Sequence, residues 1–101
     1  MTPCPRPERP ERGTKRARDH MGWVAQLSCI CCGRFGVECH HPIHGRFAQR
    51  RASDLDVIPL CWEHHRMLHE KPAAWRAIWG MDVDHIEPVR RAVETLKARS
   101  I

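Results

Sequence analysis

One cysteine and three histidines fall within nine residues at 61–69, CWEHHRMLH. On a helix His65 and His69 are four apart and share a face. At about 100° per residue, Cys61 and His64 fall on the adjacent edge. One helix can therefore feed two neighbouring metal sites. Upstream, Cys29 and Cys32 form a C-x2-C pair followed by Gly33, which lets the chain turn tightly enough to aim two thiolates at one ion. Together the two halves read C-x2-C-x28-C-x2-H. That is a Cys3His set suited to a closed, tetrahedral zinc site with no redox task. Cys31 is able to replace Cys29 or Cys32, and Cys39 is close by in sequence.

His65 and His69 remain once His64 is assigned to zinc, and His40 and His41 stand beside Cys39. Three of these four imidazoles suffice to ligate a divalent cation. The fourth is free to take a proton from water, because imidazole exchanges protons near neutrality. The cation would stabilise charge developing on a phosphate and its leaving oxygen. The residues alone do not decide which of His40 and His41 is the ligand and which the base.

The elements that must position these groups belong to a small chain. Its 101 residues suffice for one domain, and four Trp and two Phe are its only aromatic residues. A core that modest gains from a metal staple. The N-terminal stretch has no apolar segment of the secretory kind, and no run of about 18 apolar residues exists anywhere. A cytosolic protein is expected, where clustered Cys and His favour metal over disulfide. The formal net charge of +5 hints at a polyanionic partner, of which nucleic acid is the commonest.

Residues 1–17 interleave Pro3, Pro5, Pro7 and Pro10 with basic side chains and read as a disordered basic arm. Residues 18–80 read as the zinc-containing core and 81–101 as a C-terminal helix packed on it. In detail, a helix runs from about Lys15 to Leu27, with Met21, Val24 and Leu27 on one face. Next come a cysteine turn, a short strand at 37–41 and a polar loop. A second strand at 56–60 and a helix over 61–71 follow. Pro72 then starts a helix that Gly80 stops. Val89, Val93 and Leu96 mark the last helix. Arg46, Arg50 and Arg51 in the polar loop suit phosphate contacts, which give affinity without sequence readout. His20, His44 and His85 read as plain surface residues, and Trp75 and Trp79 as core.

Residues 21–80 resemble the HNH endonucleases, whose ββα-metal fold clamps one cation between a β-hairpin and a helix. The segments that carry the likeness are HMGWVAQLSCICCG, CHHPIHGRFAQRRASDLDVIPLCWEHHRMLH and AIWG. Within that superfamily they look most like the phage and prophage group of RecA-dependent recombination-enhancement nucleases. The resemblance implies a small α+β, zinc-stapled HNH-like core with flanking helices. It implies DNA phosphodiester cleavage of low sequence specificity with Mg²⁺ or a similar cation, linked to recombination, in the cytoplasm of a bacterial or phage-infected host cell, and a recombinase filament as a possible partner. It implies that His40, His65 and His69 ligate the catalytic cation and that His41 is the general base. It assigns Cys29, Cys32, Cys61 and His64 to structural zinc. The Asn of the family name is missing: Asp56 takes its place by spacing, whereas Asp54 matches the phage group's pattern better. Either acid is suited to orient His41. The competing expectation is a zinc-stabilised nucleic-acid-binding accessory protein without chemistry. A zinc adaptor for a protein partner is a third reading.

Overall fold

A computed structural model describes residues 11–43 and 52–100. The architecture is α+β, with four α-helices and a two-stranded sheet. Helix α1 spans Lys15–Val24 and strand β1 Glu38–His40. A 3-10 turn at Asp54–Asp56 leads into strand β2, Ile58–Leu60. Helices α2 (Trp62–Glu70) and α3 (Pro72–Trp79) follow with Lys71 alone between them, and a second 3-10 turn at Asp82–His85 precedes α4, Ile86–Arg99.

Local chemistry sets these boundaries. The Thr14 hydroxyl accepts from the Ala17 N–H at 3.1 Å and caps α1. Pro72 occupies the first turn of α3, where its missing N–H costs nothing. Gly80 ends α3 at φ 81°, a left-handed conformation that glycine adopts without steric cost. The strands pair antiparallel with Glu38 opposite Leu60, Cys39 opposite Pro59 and His40 opposite Ile58. Ile58, Pro59 and Leu60 are all buried, because β2 lies between β1 and the α4 side of the core.

Val24, Val57, Ile58, Leu60, Leu68, Trp75, Val89 and Val93 form that core, with Met21, Leu27 and Trp79 packed against it. Leu68 is fully buried and anchors α2, so Leu68→Ala would cost about 2–5 kcal/mol. The strand–turn–helix order matches the expected arrangement. The disordered arm expected over 1–17 does not extend that far. Ala17 is fully buried, and the Glu11 carbonyl accepts from the Asp54 N–H at 2.8 Å, which ties residues from 11 onward into the fold. Residues 1–10 lie outside the described residues, as do His44, Arg46, Arg50 and Arg51. Among the described residues, no helix is long and apolar enough to cross a membrane.

Candidate functional site

The cysteine turn is built by backbone bonds. The Gly33 N–H donates to the Cys29 carbonyl at 2.8 Å, and the Cys29 N–H donates to the Arg34 carbonyl at 2.8 Å. Gly33 takes a positive φ of 75° to close the loop. The Ile30 N–H donates to the Pro59 carbonyl at 3.2 Å and fixes the turn to β2. Across from it, Cys61 caps the start of α2 without using its side chain for capping, so its sulfur stays available.

The donor atoms of Cys29, Cys32, Cys61 and His64 lie within 4.8 Å of one another. Cys32 Sγ is 3.8 Å from Cys61 Sγ, and His64 Nδ1 is 3.0 Å from Cys61 Sγ and 3.9 Å from Cys29 Sγ. A tetrahedron with Zn–S bonds of about 2.3 Å has S···S edges of about 3.8 Å, which the Cys32–Cys61 spacing matches, so the set could hold such an ion. Burial disfavours the Cys29 thiolate, but the backbone N–H groups of Cys61, Cys31 and Cys32 outweigh it and hold the thiol below its ordinary value. Burial and the sulfurs of Cys32 and Cys29 push Cys61 up, because thiolates this close repel unless a cation lies between them. Cys31 stands outside the donor group, pushed up to about 12 by burial and by Cys29. Cys39 donates its thiol to the Met21 carbonyl at 3.5 Å and is likewise outside the group.

A second group joins His40 at the end of β1 to His65 and His69 on α2, again with donor atoms within 4.8 Å. Ring centroids are 5.0 Å apart for His40 and His65, 5.3 Å for His40 and His69, and 4.9 Å for His65 and His69. His40 is 1% exposed. Its Nε2 bonds Asp82 Oδ2 at 3.0 Å, while its Nδ1 is buried with no hydrogen-bond partner among the described residues. Burial holds His40 below the ordinary imidazole value despite the pull of Asp82, which keeps a lone pair available. A buried, orphaned nitrogen facing two further imidazoles is an arrangement a cation completes. His65 engages Glu38 Oε1 through Nδ1 at 3.1 Å, which leaves Nε2 for a ligand.

His41 Nε2 bonds Asp54 Oδ1 at 2.6 Å. Asp54 is itself fixed by the Gly13 N–H, which donates to Oδ2 at 2.8 Å, and by Arg12 at 3.8 Å. Burial works against its charge, but the bonds from His41 and Gly13 prevail and hold its carboxyl below the usual carboxylate range. Asp56 turns elsewhere and pairs with the Arg90 guanidinium, so the acid beside His41 is Asp54. The remainder of the expected site, Arg46, Arg50 and Arg51, falls outside the described residues.

Two acids were not legible as site residues. Asp82 is fully buried and holds both His40 and the Ile43 N–H, the latter at 2.7 Å. Glu38 partners His65. In sequence Asp82 reads as an ordinary helix-start acid, and only its burial reveals it. His20 and His85, expected at the surface, are both half-buried. His85 Nε2 donates to the Trp79 carbonyl at 2.8 Å and pins the second 3-10 turn to the end of α3.

A family model described as "Protein of unknown function (DUF968)" matches residues 3–95. The Escherichia coli (strain K12) "Uncharacterized protein YdfU" is similar, 38% identical over 66 residues. The match takes in 63% of this chain and 19% of that protein, so the chain spans about a fifth of the relative's length. No solved structure matches the chain.

Proposed function

The chain belongs to the DUF968 family, and we propose that within it this protein is a metal-dependent DNA endonuclease of the HNH, ββα-metal kind. The observation that carries the reading is the convergence of His40, His65 and His69 next in sequence to the His41–Asp54 pair. A divalent cation such as Mg²⁺ held by the three imidazoles would stabilise negative charge on the scissile phosphate and on the leaving oxygen.

The protein's own groups supply the rest. Asp54 accepts the Nε2–H of His41, which leaves the Nδ1 lone pair to take a proton from water attacking the phosphorus. Asp82 and Glu38 orient His40 and His65 as outer carboxylates. Cys29, Cys32, Cys61 and His64 would hold a structural zinc at the start of α2. Arg46, Arg50 and Arg51 give phosphate contacts without base readout, so cleavage has low sequence specificity. The reading places the protein in reducing cytoplasm, where the thiols stay available to zinc. A link to recombination, including DNA presented by a recombinase filament, belongs to the same proposal and rests on the sequence resemblance.

A zinc-stabilised binding module without chemistry needs the cysteine set and has no use for three converging imidazoles beside a polarised fourth. Supercoiled-plasmid nicking separates the two. The endonuclease nicks with Mg²⁺ or Mn²⁺ and stops with EDTA. DNA binding with no nicking in any divalent metal would leave the accessory module standing and the enzyme reading refuted.

A further inference from the structure

Helices α1 and α4 lie side by side, and a groove of about 580 Å³ runs between them. Its walls follow from helical spacing. On α1, His20 and Trp23 are three residues apart, and on α4, Arg90, Glu94 and Lys97 recur at i, i+4 and i+7. Leu55 lines the groove beside Asp54. Arg90 Nε donates to the Leu55 carbonyl at 3.2 Å, and its guanidinium pairs with Asp56. The α4 wall is thereby tied to the short turn that presents Asp54 to His41.

The chemistry of the groove is unusual for a mere packing seam. His20 Nε2 is buried without a hydrogen-bond partner among the described residues. Lys97 and Arg90 are close enough to His20 to depress it electrostatically, in addition to the effect of burial. Lys97 meets Glu94 only at 3.5 Å, a loose pair on the surface. Lys15 and Asp19 neutralise one another at 2.9 Å on the rim. An unsatisfied imidazole nitrogen, a loosely held ammonium and a half-exposed indole are therefore grouped in one cleft. Cation plus aromatic face is the combination that holds a nucleotide, the cation on the phosphate and the ring under the sugar or base.

We infer that the α1–α4 groove is an accessory subsite for the nucleic-acid strand, in which Lys97 holds a backbone phosphate above the buried His20 ring and Trp23 supports the adjoining nucleoside. The inference rests on the endonuclease reading and adds where the strand lies beyond the reacting phosphate. A free phosphate shares the anion chemistry but not the contact with Trp23.

The full chain, zinc-loaded, is titrated with a short fluorescein-labelled DNA strand and separately with inorganic phosphate. Anisotropy reports affinity, and the ring nitrogen resonances of His20 report the groove. The strand is expected to shift the His20 resonances at lower concentration than phosphate. Lys97→Gln should flatten the slope of log affinity against log salt by about 0.7, the share of one phosphate contact on a single strand. Trp23→Leu should weaken strand binding about 5- to 150-fold. Lys97→Gln, at the exposed edge, keeps the test valid if Trp23→Leu fails to fold. Strand binding with unmoved His20 resonances and an unchanged slope in Lys97→Gln overturns the groove assignment alone. Phosphate moving His20 where the strand does not makes it a free-anion site and overturns it too. A parent chain that binds no DNA at any salt overturns the endonuclease reading itself, and the inference with it.

Discussion

His40 and His41 are neighbours in the chain, yet their surroundings differ. His40 is buried against Asp82 with Nδ1 open, which suits a ligand. His41 is partly exposed and is held by Asp54, which suits a base. His41→Ala should therefore slow plasmid nicking about 10²- to 10⁴-fold. Its affinity for Mn²⁺, read by calorimetry, should stay near the parent's. Asp82→Asn should do the converse and weaken Mn²⁺ binding about 10- to 100-fold, as loss of an outer carboxylate does. Equal metal affinity in Asp82→Asn and the parent would remove Asp82 from the site. The four histidines were legible because they are few, clustered and spaced for a helix and a strand end. Their carboxylate partners were not. Asp54 and Asp56 differ by two positions in one turn, and only the Arg90 side chain of a distant helix draws Asp56 away. Asp82 lies 42 residues from His40, with nothing in its local sequence to join them.

Helix α2 serves both donor groups, with Cys61 and His64 at its start and His65 and His69 along it. His69→Ala should abolish nicking while the protein keeps one equivalent of zinc and its far-ultraviolet spectrum. Cys61→Ala should lose zinc and precipitate or unfold, since structural zinc contributes folding free energy. A zinc-free but folded Cys61→Ala protein would show that the staple is dispensable. The helices could be read from apolar spacing together with Pro72 and Gly80. The two 3-10 turns escaped because three or four residues carry no periodicity. The packing of α4 over His20 escaped because coverage by a helix some 70 residues later leaves no local mark. That packing has a pH signature. Burial, with Lys97 and Arg90, lowers the folded-state value of His20. The unfolded chain therefore protonates His20 first as pH falls. The stability tied to the neutral ring is full above about 6.5, the unfolded imidazole value, and is lost as pH drops through the lower folded value. His20→Gln should lose less stability than the parent in urea melts between about pH 6.5 and the onset of zinc release. Parallel losses in the two proteins would place the ring in solvent instead.

At the scale of the whole molecule, the described residues form a short two-stranded sheet and four helices around a core whose largest buried residue is Trp75. On the proposed assignment, so small a core would rely on a zinc staple. Stripping zinc with a strong chelator should abolish cooperative thermal unfolding and reduce helicity, and added zinc should restore both. A chelated protein with an unchanged melting transition would count against that dependence. The peptide bond between His64 and His65 has a further consequence, because the two side chains belong to different donor groups. With both groups occupied as proposed, ordering α2 for one ion would lower the conformational entropy that the other must still remove, and the two occupancies would be linked. Linkage is reciprocal, and the factor by which zinc tightens the second cation is the factor by which that cation tightens zinc. On the proposed assignment, cleavage capacity follows zinc supply through affinity as well as through folding. On that assignment, zinc shortage would leave the second site only partly filled at Mg²⁺ levels that otherwise saturate it.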